Sequence, residues 1–419
     1  MERTTCLIAG GGPAGMFLGL MLARAGVEVT VLEKHGDFLR DFRGDTVHPT
    51  TLDLIEALGL SEDFAKLPQR RLTSIQTPIG GRLVPLASFD HIPGRHKYIA
   101  MVPQWDLLDL LARAGDNEPT FRLRMRTEAV DLLRTGPTVT GVRYRTADGA
   151  TGEIHADLTV AADGRGSALR AAAGLGGRQW ATPFDAWWYR IPRHGTDPAG
   201  LIPVVSADRV AVLFDRGDYW QSATLIAKGS DTRLRAEKPV GEIMRALAEV
   251  VPWLADRADA VHDWDEVKLL DVKLDRLDHW YADGLLCLGD AAHAMSPIGG
   301  VGINLAVQDA VAAARILAPK LLSHTVATAD LARVQRRRRL PTAVIQGMQR
   351  LAHAQVVRPA VSGRLNIADL PRTPLPLRIF RRIPVLRELP VFLVARGVVS
   401  EPIPEFARAT GRRADGTGC

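Results

Sequence analysis

The chain has 419 residues, 46% of them hydrophobic and 24% charged, which predicts a soluble globular protein of two or three domains. With 53 lysines and arginines against 47 aspartates and glutamates, the net charge of +6 mildly favours anionic ligands and argues against nucleic-acid binding. The three cysteines are widely separated, and no secretory signal or apolar run of the roughly 20 residues needed for a membrane span is found. We therefore predict a cytoplasmic protein without disulfides, a metal site or stable membrane insertion.

The first 33 residues read as a strand, a glycine-rich turn, a helix and a second strand. Thr4 to Ala9 is a short β-rich run, and the turn after it has the spacing of a dinucleotide-binding fingerprint. In that fingerprint Gly10 permits a tight turn, Gly12 lets the backbone approach a pyrophosphate, and Gly15 allows the helix to pack closely on the strand. The second strand ends at Glu33, where a carboxylate accepts hydrogen bonds from ribose hydroxyls. These features predict an adenine-dinucleotide site.

The next segment, up to about residue 178, continues this unit with one interruption. Alternating apolar and polar residues between 72 and 103 predict a hairpin that briefly leaves the first domain. After a helix from Gln104 to Ala114, three further strands are predicted between residues 129 and 162. The last of them ends in an Asp-Gly turn at Asp163. Because open α/β sheets bind ligands beyond the carboxyl ends of their strands, Asp163 is a second candidate ligand contact.

A tryptophan-rich segment with alternating strand patterns follows. Seven of the eight tryptophans lie between Trp180 and Trp280, and the pattern predicts a mostly antiparallel sheet. Aromatic residues in strands more often form a sheet core than a ligand cage, but several beside a cofactor-binding domain are also typical of an apolar pocket. On that second interpretation Trp187, Tyr189 and Trp220 are candidate substrate-pocket residues.

The stretch Gly284 to Asp309 is a second glycine-rich strand, loop and helix. An apolar run leads to Asp290 at a Gly-Asp step, and a loop of Pro297 and three nearby glycines opens onto an apolar helix pattern. Such a loop lets the backbone approach something flat or anionic, and the unpaired N–H groups of the helix favour negative charge there. Taken alone, the pattern also fits an ordinary connection between a strand and a helix.

The last part of the chain contains four adjacent arginines, Arg336 to Arg339, inside a predicted helix over residues 330–345. Because a helix spreads consecutive residues around its circumference, they form no single basic stripe, and we predict a solvated helix rather than a nucleic-acid surface. The tail from Arg358 mixes prolines, arginines and aliphatic residues. It predicts short helices packed on the body, with a membrane-surface or dimer contact as the alternative.

Three motifs now stand in order along the chain: GGGPAG at residues 10–15, DGRGSALR at 163–170 and GDAAHAMSPIGGVGINLA at 289–306. Together they resemble the FAD-dependent aromatic hydroxylases, which are single-component flavoprotein monooxygenases of the para-hydroxybenzoate hydroxylase type. The resemblance covers roughly residues 1 to 350. It implies an α/β protein, α+β overall, in which a Rossmann-type FAD-binding domain carries an inserted, mostly antiparallel β-sheet substrate domain and a helical C-terminal segment.

The resemblance implies domains that are discontinuous in sequence. The predicted boundaries are 1–71, 98–178 and 283–350 for the FAD-binding domain, 72–97 and 179–282 for the substrate domain, and 351–419 for the C-terminal segment packed on the body.

The resemblance also implies which residues contact the cofactor. Asp290 is expected at the ribityl chain, the loop from Pro297 to Asn304 at the isoalloxazine, and Arg43 with Gln104 at the phosphate and ribityl parts. The predicted FAD-binding residues are Gly10, Gly12, Pro13, Ala14, Gly15, Glu33, Lys34, Arg43, Gln104, Val130, Asp163, Asp290, Pro297, Gly300, Gly302, Ile303 and Asn304. The predicted catalytic positions are Asp45, His48, Pro297 and Gly300, although a histidine inside such motifs, like His48 or His293, is more often structural.

The implied reaction is hydroxylation of a phenolic or heteroaromatic small molecule by O2 through a flavin C4a-hydroperoxide, with NADH or NADPH as a transient electron donor. Three alternatives stay open. Trp187 to Pro192 comes close to the Trp-x-Trp-x-Ile-Pro signature of flavin-dependent halogenases, with Tyr189 in place of the second tryptophan. A flavin dehydrogenase or reductase of the same fold and a non-enzymatic flavin-holding module are the other two. We expect a monomer or a homodimer.

Overall fold

The structure, a computed structural model, describes residues 2–39, 45–79, 82–206, 209–364 and 391–409, with the backbone alone for 77–79 and 82–86. The strands are β1 Glu2–Ala9, β2 Val29–Leu32, β3 Thr46–Val47, β4 Arg70–Leu72, β5 Ser74–Ile79, β6 Arg82–Ser88, β7 Ile99–Met101, β8 Phe121–Arg124, β9 Thr127–Thr135, β10 Thr138–Thr146, β11 Thr151–Ala161, β12 Gly177–Gln179, β13 Phe184–Pro192, β14 Leu201–Val205, β15 Val210–Asp215, β16 Tyr219–Ala227, β17 Lys268–Leu270, β18 Asp275–Leu277, β19 Tyr281–Ala282 and β20 Leu285–Cys287.

The α-helices are α1 Pro13–Arg24, α2 Pro49–Ala57, α3 Ser61–Lys66, α4 Gln104–Asp116, α5 Ala168–Ala172, α6 Asp231–Glu237, α7 Val240–Val250, α8 Gly302–Leu322, α9 Thr328–Ala352 and α10 Arg358–Val361. Residues 391–396 are also helical. None of the helices described here combines the length and the apolar character needed to cross a lipid bilayer.

An eight-stranded sheet forms the first layer of the molecule. Its central strands are parallel in the order β20-β11-β1-β2-β8, and the antiparallel strands β9 and β10 extend from β11. One face packs against α1 and α8, and the other packs against apolar residues of β9 and β10. This burial on both faces explains why β1 and β2 read as nearly continuous apolar runs in the sequence.

The carboxyl ends of four parallel strands lie level with one another. Ala9 at the end of β1 is in register with Ala161 of β11 and with Leu32 of β2, and Ala161 is in register with Cys287 of β20. The loops that follow these strands therefore meet at one edge of the sheet, where open α/β sheets bind their ligands.

A seven-stranded sheet forms the second layer, in the order β17-β13-β16-β15-β14-β5-β6. All neighbours are antiparallel except β14 and β5, so the hairpin of β5 and β6 joins the sheet that the sequence predicts to be mostly antiparallel. Apolar residues of α7 cover one face of this sheet. The predicted fold class, a Rossmann-type α/β unit combined with an antiparallel sheet, is confirmed.

Candidate functional site

The glycine-rich turn after β1 has the geometry of a phosphate-binding turn. Gly10 has φ +109°, and a Cβ there would overlap the carbonyl oxygen of Ala162, while a Cβ at Gly15 would overlap the carbonyl oxygen of Gly10. Gly12, the N-cap of α1, has an ordinary φ of −76°, and a Cβ there would meet nothing within 4 Å. Packing therefore requires glycine at positions 10 and 15. Gly12 instead borders open space at a helix N-terminus, where a pyrophosphate would bind.

Glu33 presents a carboxylate at the end of β2. Its side chain accepts hydrogen bonds from the backbone N–H groups of Gly11, at 3.1 Å, and of His35, at 3.0 Å. These two bonds orient the carboxylate at the end of β2, where the sequence predicts contact with ribose hydroxyls. Lys34 is exposed beside it, and Val130 lies on β9, whose first residue donates its N–H to the Glu33 carbonyl.

The two other predicted carboxylates lie at the same edge of the sheet. Asp163 follows β11, and its Oδ2 accepts a 3.4 Å hydrogen bond from Leu169 N–H. Its Oδ1 is buried without a partner in the described protein, and burial raises the pKa of Asp163. Asp290 follows β20, and its Oδ2 lies 3.3 Å from Nη2 of Arg165. The unpaired Asp163 oxygen fits a hydroxyl-bearing ligand, because buried acceptors rarely stay unsatisfied.

The loop before α8 (residues 297–302), which we call the flavin loop because the sequence predicts it to lie at the isoalloxazine, is held by β3 and the start of α2. The carbonyl oxygen of Gly300, which has φ +62°, accepts hydrogen bonds from Thr46 Oγ1 at 2.7 Å and from His48 Nε2 at 2.9 Å. Burial lowers the pKa of His48 to about 4, so the ring is neutral near pH 7 and donates through Nε2. His48 therefore positions the flavin loop.

The first turn of α8 is open to an anion. Its N-cap, Val301, provides no side-chain hydrogen bond, and Gly302 leaves room beside the helix start, since a Cβ there would meet only Met295, at 3.9 Å. Asn304 is turned inwards, where its Oδ1 accepts hydrogen bonds from Thr50 at 2.6 Å and Thr51 at 3.0 Å. The free N–H groups of Gly302 and its neighbour Ile303 can therefore face negative charge on a ligand.

A buried ion pair beside the flavin loop joins the segment before β3 to the seven-stranded sheet. Asp45, next to Thr46, pairs with Arg216, which lies between β15 and β16, and also accepts a 3.2 Å hydrogen bond from Gln104 N–H. Burial raises the pKa of Asp45 to about 6, although the positive charge of Arg216 acts in the opposite direction. Nε and Nη1 of Arg216 are buried without a partner among the described residues, so they are available to a ligand.

The three predicted substrate-pocket residues lie on the helix-covered face of the second sheet. Trp187 Nε1 donates to Asp231 at 2.6 Å, the Tyr189 hydroxyl bonds to Thr224 at 2.7 Å, and Trp220 Nε1 donates to Asp197 at 2.9 Å. All three are buried in the core that includes α7. The structure therefore does not bring Trp187, Tyr189 and Trp220 to the flavin loop, because alternate residues of a strand point to opposite faces.

The opposite face of the same strands is directed towards the flavin loop. Phe184 on this face packs in a cluster with Ile298 of the loop. Further along, Trp188 stacks on Phe214, with ring centroids 5.7 Å apart. Trp188 Nε1 and Gln221 Nε2 are buried without partners in the described residues. Aromatic rings with unpaired donors are the lining expected of a pocket for an oxygen-bearing aromatic molecule.

Sequence reasoning missed Trp188, Gln221 and Arg216. The period of two in β13 would have separated Trp187 from Trp188 into two faces, but the pattern alone does not say which face is covered by a helix. Arg216 carries no local signal, since its partner Asp45 is 171 residues away. Arg43, one of the predicted FAD contacts, lies outside the described residues.

Several known proteins are similar to this chain in sequence or in fold. A family model described as "FAD binding domain" matches residues 3–347. The 6-methylpretetramide 4-monooxygenase of Streptomyces rimosus is 32% identical over 400 residues, covering 91% of this chain and 92% of that protein. The 12-dehydrotetracycline 5-monooxygenase/anhydrotetracycline 6-monooxygenase of Streptomyces rimosus subsp. rimosus is 29% identical over 335 residues, covering 74% and 61%. The crystal structure of P. aeruginosa PqsL with 2-aminobenzoylacetate shares the fold, with TM-score 0.74, 23% identity and coverage of 87% and 99%.

Proposed function

This chain belongs to the FAD-binding family of aromatic hydroxylase-type monooxygenases, and on that premise we propose that it hydroxylates an aromatic small molecule with O2 and NADH or NADPH. One observation carries the proposal. The loops after β1, β11 and β20 meet at one sheet edge that offers open backbone at Gly12, an unpaired carboxylate oxygen at Asp163 and an uncapped helix start after Val301. Each of these suits a different part of FAD.

The residues of the chain would hold FAD along this edge. Gly12 and the start of α1 suit the pyrophosphate, Glu33 the adenosine ribose, and Asp163 with Asp290 the hydroxyl-rich linker to the ring. The N–H groups at the start of α8 would stabilise negative charge on the pyrimidine side of the ring. When bound, FAD supplies the acceptance of a hydride from NAD(P)H and the transfer of one oxygen atom from O2 to the substrate.

We propose an electron-rich, oxygen-bearing aromatic substrate with more than one ring. The lining of Trp188 and Phe214 suits a flat molecule, and the unpaired donors of Gln221 and Arg216 suit phenolic or carbonyl oxygens. The relative at 32% identity is named as a monooxygenase of 6-methylpretetramide. The buried position of the Trp188 Nε1 and Gln221 Nε2 donors would help to exclude water from the reacting atoms.

Activity of the purified protein tests the proposal. We expect a yellow protein whose NAD(P)H oxidation is stimulated by multi-ring phenols and whose product gains one oxygen atom from 18O2, with the second atom leaving as water. A product that requires halide and a separate flavin reductase would favour the halogenase alternative, and turnover without O2 would favour a dehydrogenase. A colourless protein that cannot be reconstituted with FAD would contradict the whole proposal.

Asp45 is expected to control substrate turnover through Arg216. Asp45→Ala should lower hydroxylation by about 10-fold or more while FAD stays bound, because the ion pair positions a donor beside the flavin loop. Since the pKa of Asp45 is about 6, the ion pair is complete above that pH and weakens as the pH falls below it. The substrate KM of the wild type should therefore rise from pH 7 to pH 5, and Asp45→Asn should remove this dependence. Unchanged turnover in Asp45→Ala would refute the assignment.

The two neighbouring tryptophans provide a matched test of which sheet face binds the substrate. Trp188→Ala should raise the substrate KM about 10-fold without changing FAD affinity, because it removes the stacked wall beside Phe214. Trp187→Phe should instead cost about 1–2 kcal/mol of stability, since it removes a buried ring system and its hydrogen bond to Asp231, whose oxygen keeps Arg235 Nε as a donor at 2.7 Å. Its substrate KM should not change. Steady-state kinetics and urea unfolding of both variants separate the two roles, and the reverse result would place the substrate on the other face.

A further inference from the structure

Four arginines gather around β12, β18 and α9. Arg178 of β12 lies directly opposite Arg276 of β18 in this two-stranded antiparallel sheet. Arg350, near the end of α9, and Arg276 both stack on the ring of Trp180, at 5.3 Å and 5.4 Å from its centroid. Arg339 lies roughly three turns before Arg350 and thus on the same side of α9. We call these four side chains with Trp180 the arginine cluster.

The arginine cluster is electrostatically costly as it stands. Like charges directly opposite each other in an antiparallel pair are destabilising. Burial, and then the positive charges of Arg339 and Arg178, lower the pKa of Arg276. Its Nη1 is buried without a hydrogen-bond partner among the described residues. Among the residues that the structure describes, none of the four guanidinium groups forms an ion pair with a carboxylate within 4.0 Å.

The four guanidinium groups are distinct from the residues proposed to bind FAD and substrate, while Trp180 packs against an apolar cluster that includes Val301 of the flavin loop. The neighbours of Arg276 on β18, Asp275 and Leu277, point inwards, and Asp275 pairs with Arg170 at 3.1 Å and accepts the N–H of Ala294 at 3.0 Å. Because alternate strand residues point to opposite faces, Arg276 points to the other face of β18, where it contacts Trp180. None of the four arginines contributes a contact to the hydroxylation machinery described above.

We propose that the arginine cluster binds a small polyanion with adjacent phosphate groups, of the diphosphate class. A planar guanidinium group can donate two parallel hydrogen bonds to phosphate oxygens. Arg276 has a buried donor, Nη1, that has no partner among the described residues. Arg276 and Arg350 both contact the indole ring of Trp180, so their positive charges are concentrated in one small region, which favours a compact anion over an extended acidic protein surface. A bound polyanion would neutralise the repulsion between Arg178 and Arg276.

Fluorescence titration of the FAD-loaded full-length protein tests this site at constant ionic strength, because salt screens surface charges. Inorganic pyrophosphate should change the emission of Trp180 with a saturable curve, and orthophosphate should bind about 10-fold more weakly because it engages fewer guanidinium groups. Trp180→Phe should remove the fluorescence change while calorimetry still detects binding. Equal affinity for ADP and pyrophosphate would assign a free diphosphate as the ligand, and about 10-fold tighter ADP would assign a nucleotide diphosphate.

Variants on α9 and β18 supply the controls. Arg276→Gln should weaken pyrophosphate binding about 10-fold, whereas Arg336→Gln, at an exposed position of the same α9, should not. At low salt and without the anion, Arg276→Gln should raise the thermal midpoint, because it relieves repulsion. A non-saturable titration, unchanged affinity in Arg276→Gln, or a lowered thermal midpoint in that variant would overturn the proposal. None of these readouts uses turnover, so failure here leaves the hydroxylase assignment intact.

Discussion

Gly10→Ala is expected to lose FAD binding and to unfold at a markedly lower temperature, whereas Gly12→Ala is expected to lose FAD affinity alone. Gly10 has φ +109°, and its substituent would overlap the Ala162 carbonyl at the end of β11. That combination of a disfavoured φ and a backbone clash costs several kcal/mol, of the order of 3. The loss occurs at the centre of the parallel sheet, so the whole FAD edge is affected.

Gly12→Ala provides the matched control within the same turn. Its φ of −76° suits alanine, and a Cβ would enter open space rather than protein. The unfolding midpoint of the FAD-free protein should therefore match the wild type, while FAD affinity falls by about 10-fold or more, because the methyl group occupies the approach of the pyrophosphate. Thermal unfolding of the FAD-free proteins and flavin fluorescence titration separate the two effects. Wild-type FAD affinity in Gly12→Ala would contradict the placement of the pyrophosphate.

Asp309→Ala is expected to cost about 3–5 kcal/mol of folding stability, because it breaks a buried charge network. Asp309 on α8 is fully buried and accepts hydrogen bonds from His293 Nε2 at 2.6 Å, Arg338 Nε at 2.9 Å and Gly289 N–H at 3.3 Å. Arg338, also fully buried, pairs at 3.1 Å with Glu401 near the end of the described chain. The network therefore ties the Gly-Asp motif, both long helices and the C-terminal segment together.

Removal of the Asp309 carboxylate leaves the Arg338 guanidinium buried with one partner fewer, and Gly289 N–H with none. Urea unfolding should report the loss, and Asp63→Ala, which removes an exposed ion pair with Lys66, should leave the midpoint unchanged. Although burial opposes it, His293 and Arg338 hold the pKa of Asp309 below its usual value. The stability that Asp309 contributes is therefore present above about pH 4 and is lost as the pH falls further. A stability loss in Asp309→Ala no larger than that in Asp63→Ala would refute the role of the network.

The network also explains where the four adjacent arginines go. Arg337 pairs with Glu401 at 2.9 Å, Arg338 points into the core, and Arg339 joins the arginine cluster, while Arg336 is exposed. The helical geometry inferred from the sequence is correct, and the residues do spread around α9. Burial of Arg338 was not foreseeable, because its partners Asp309 and Glu401 are distant in sequence and lie in segments with no charge pattern of their own.

Features with a local physical cause were predictable from the sequence alone. The glycines of the first turn follow from a fixed backbone requirement, and Glu33, Asp163 and Asp290 follow from their positions at the ends of apolar strands. Parallel strands bring such ends to one edge, so the sequence predicted the α/β fold and the edge that we propose for FAD, and the order of the three motifs indicated the family. The period of two likewise predicted an antiparallel sheet between residues 179 and 282.

Only the tertiary structure decided which face of that sheet meets the flavin loop. The alternation in β13 shows that Trp187 and Trp188 lie on opposite faces, but not which of them faces the flavin loop. That is decided by α7, which covers the Trp187 face of the sheet. The Asp45–Arg216 pair and the arginine cluster likewise join residues far apart in sequence. Local pattern determines the type of an element and its turns, whereas partners across the chain are selected by packing and burial, for which one sequence carries no local signal.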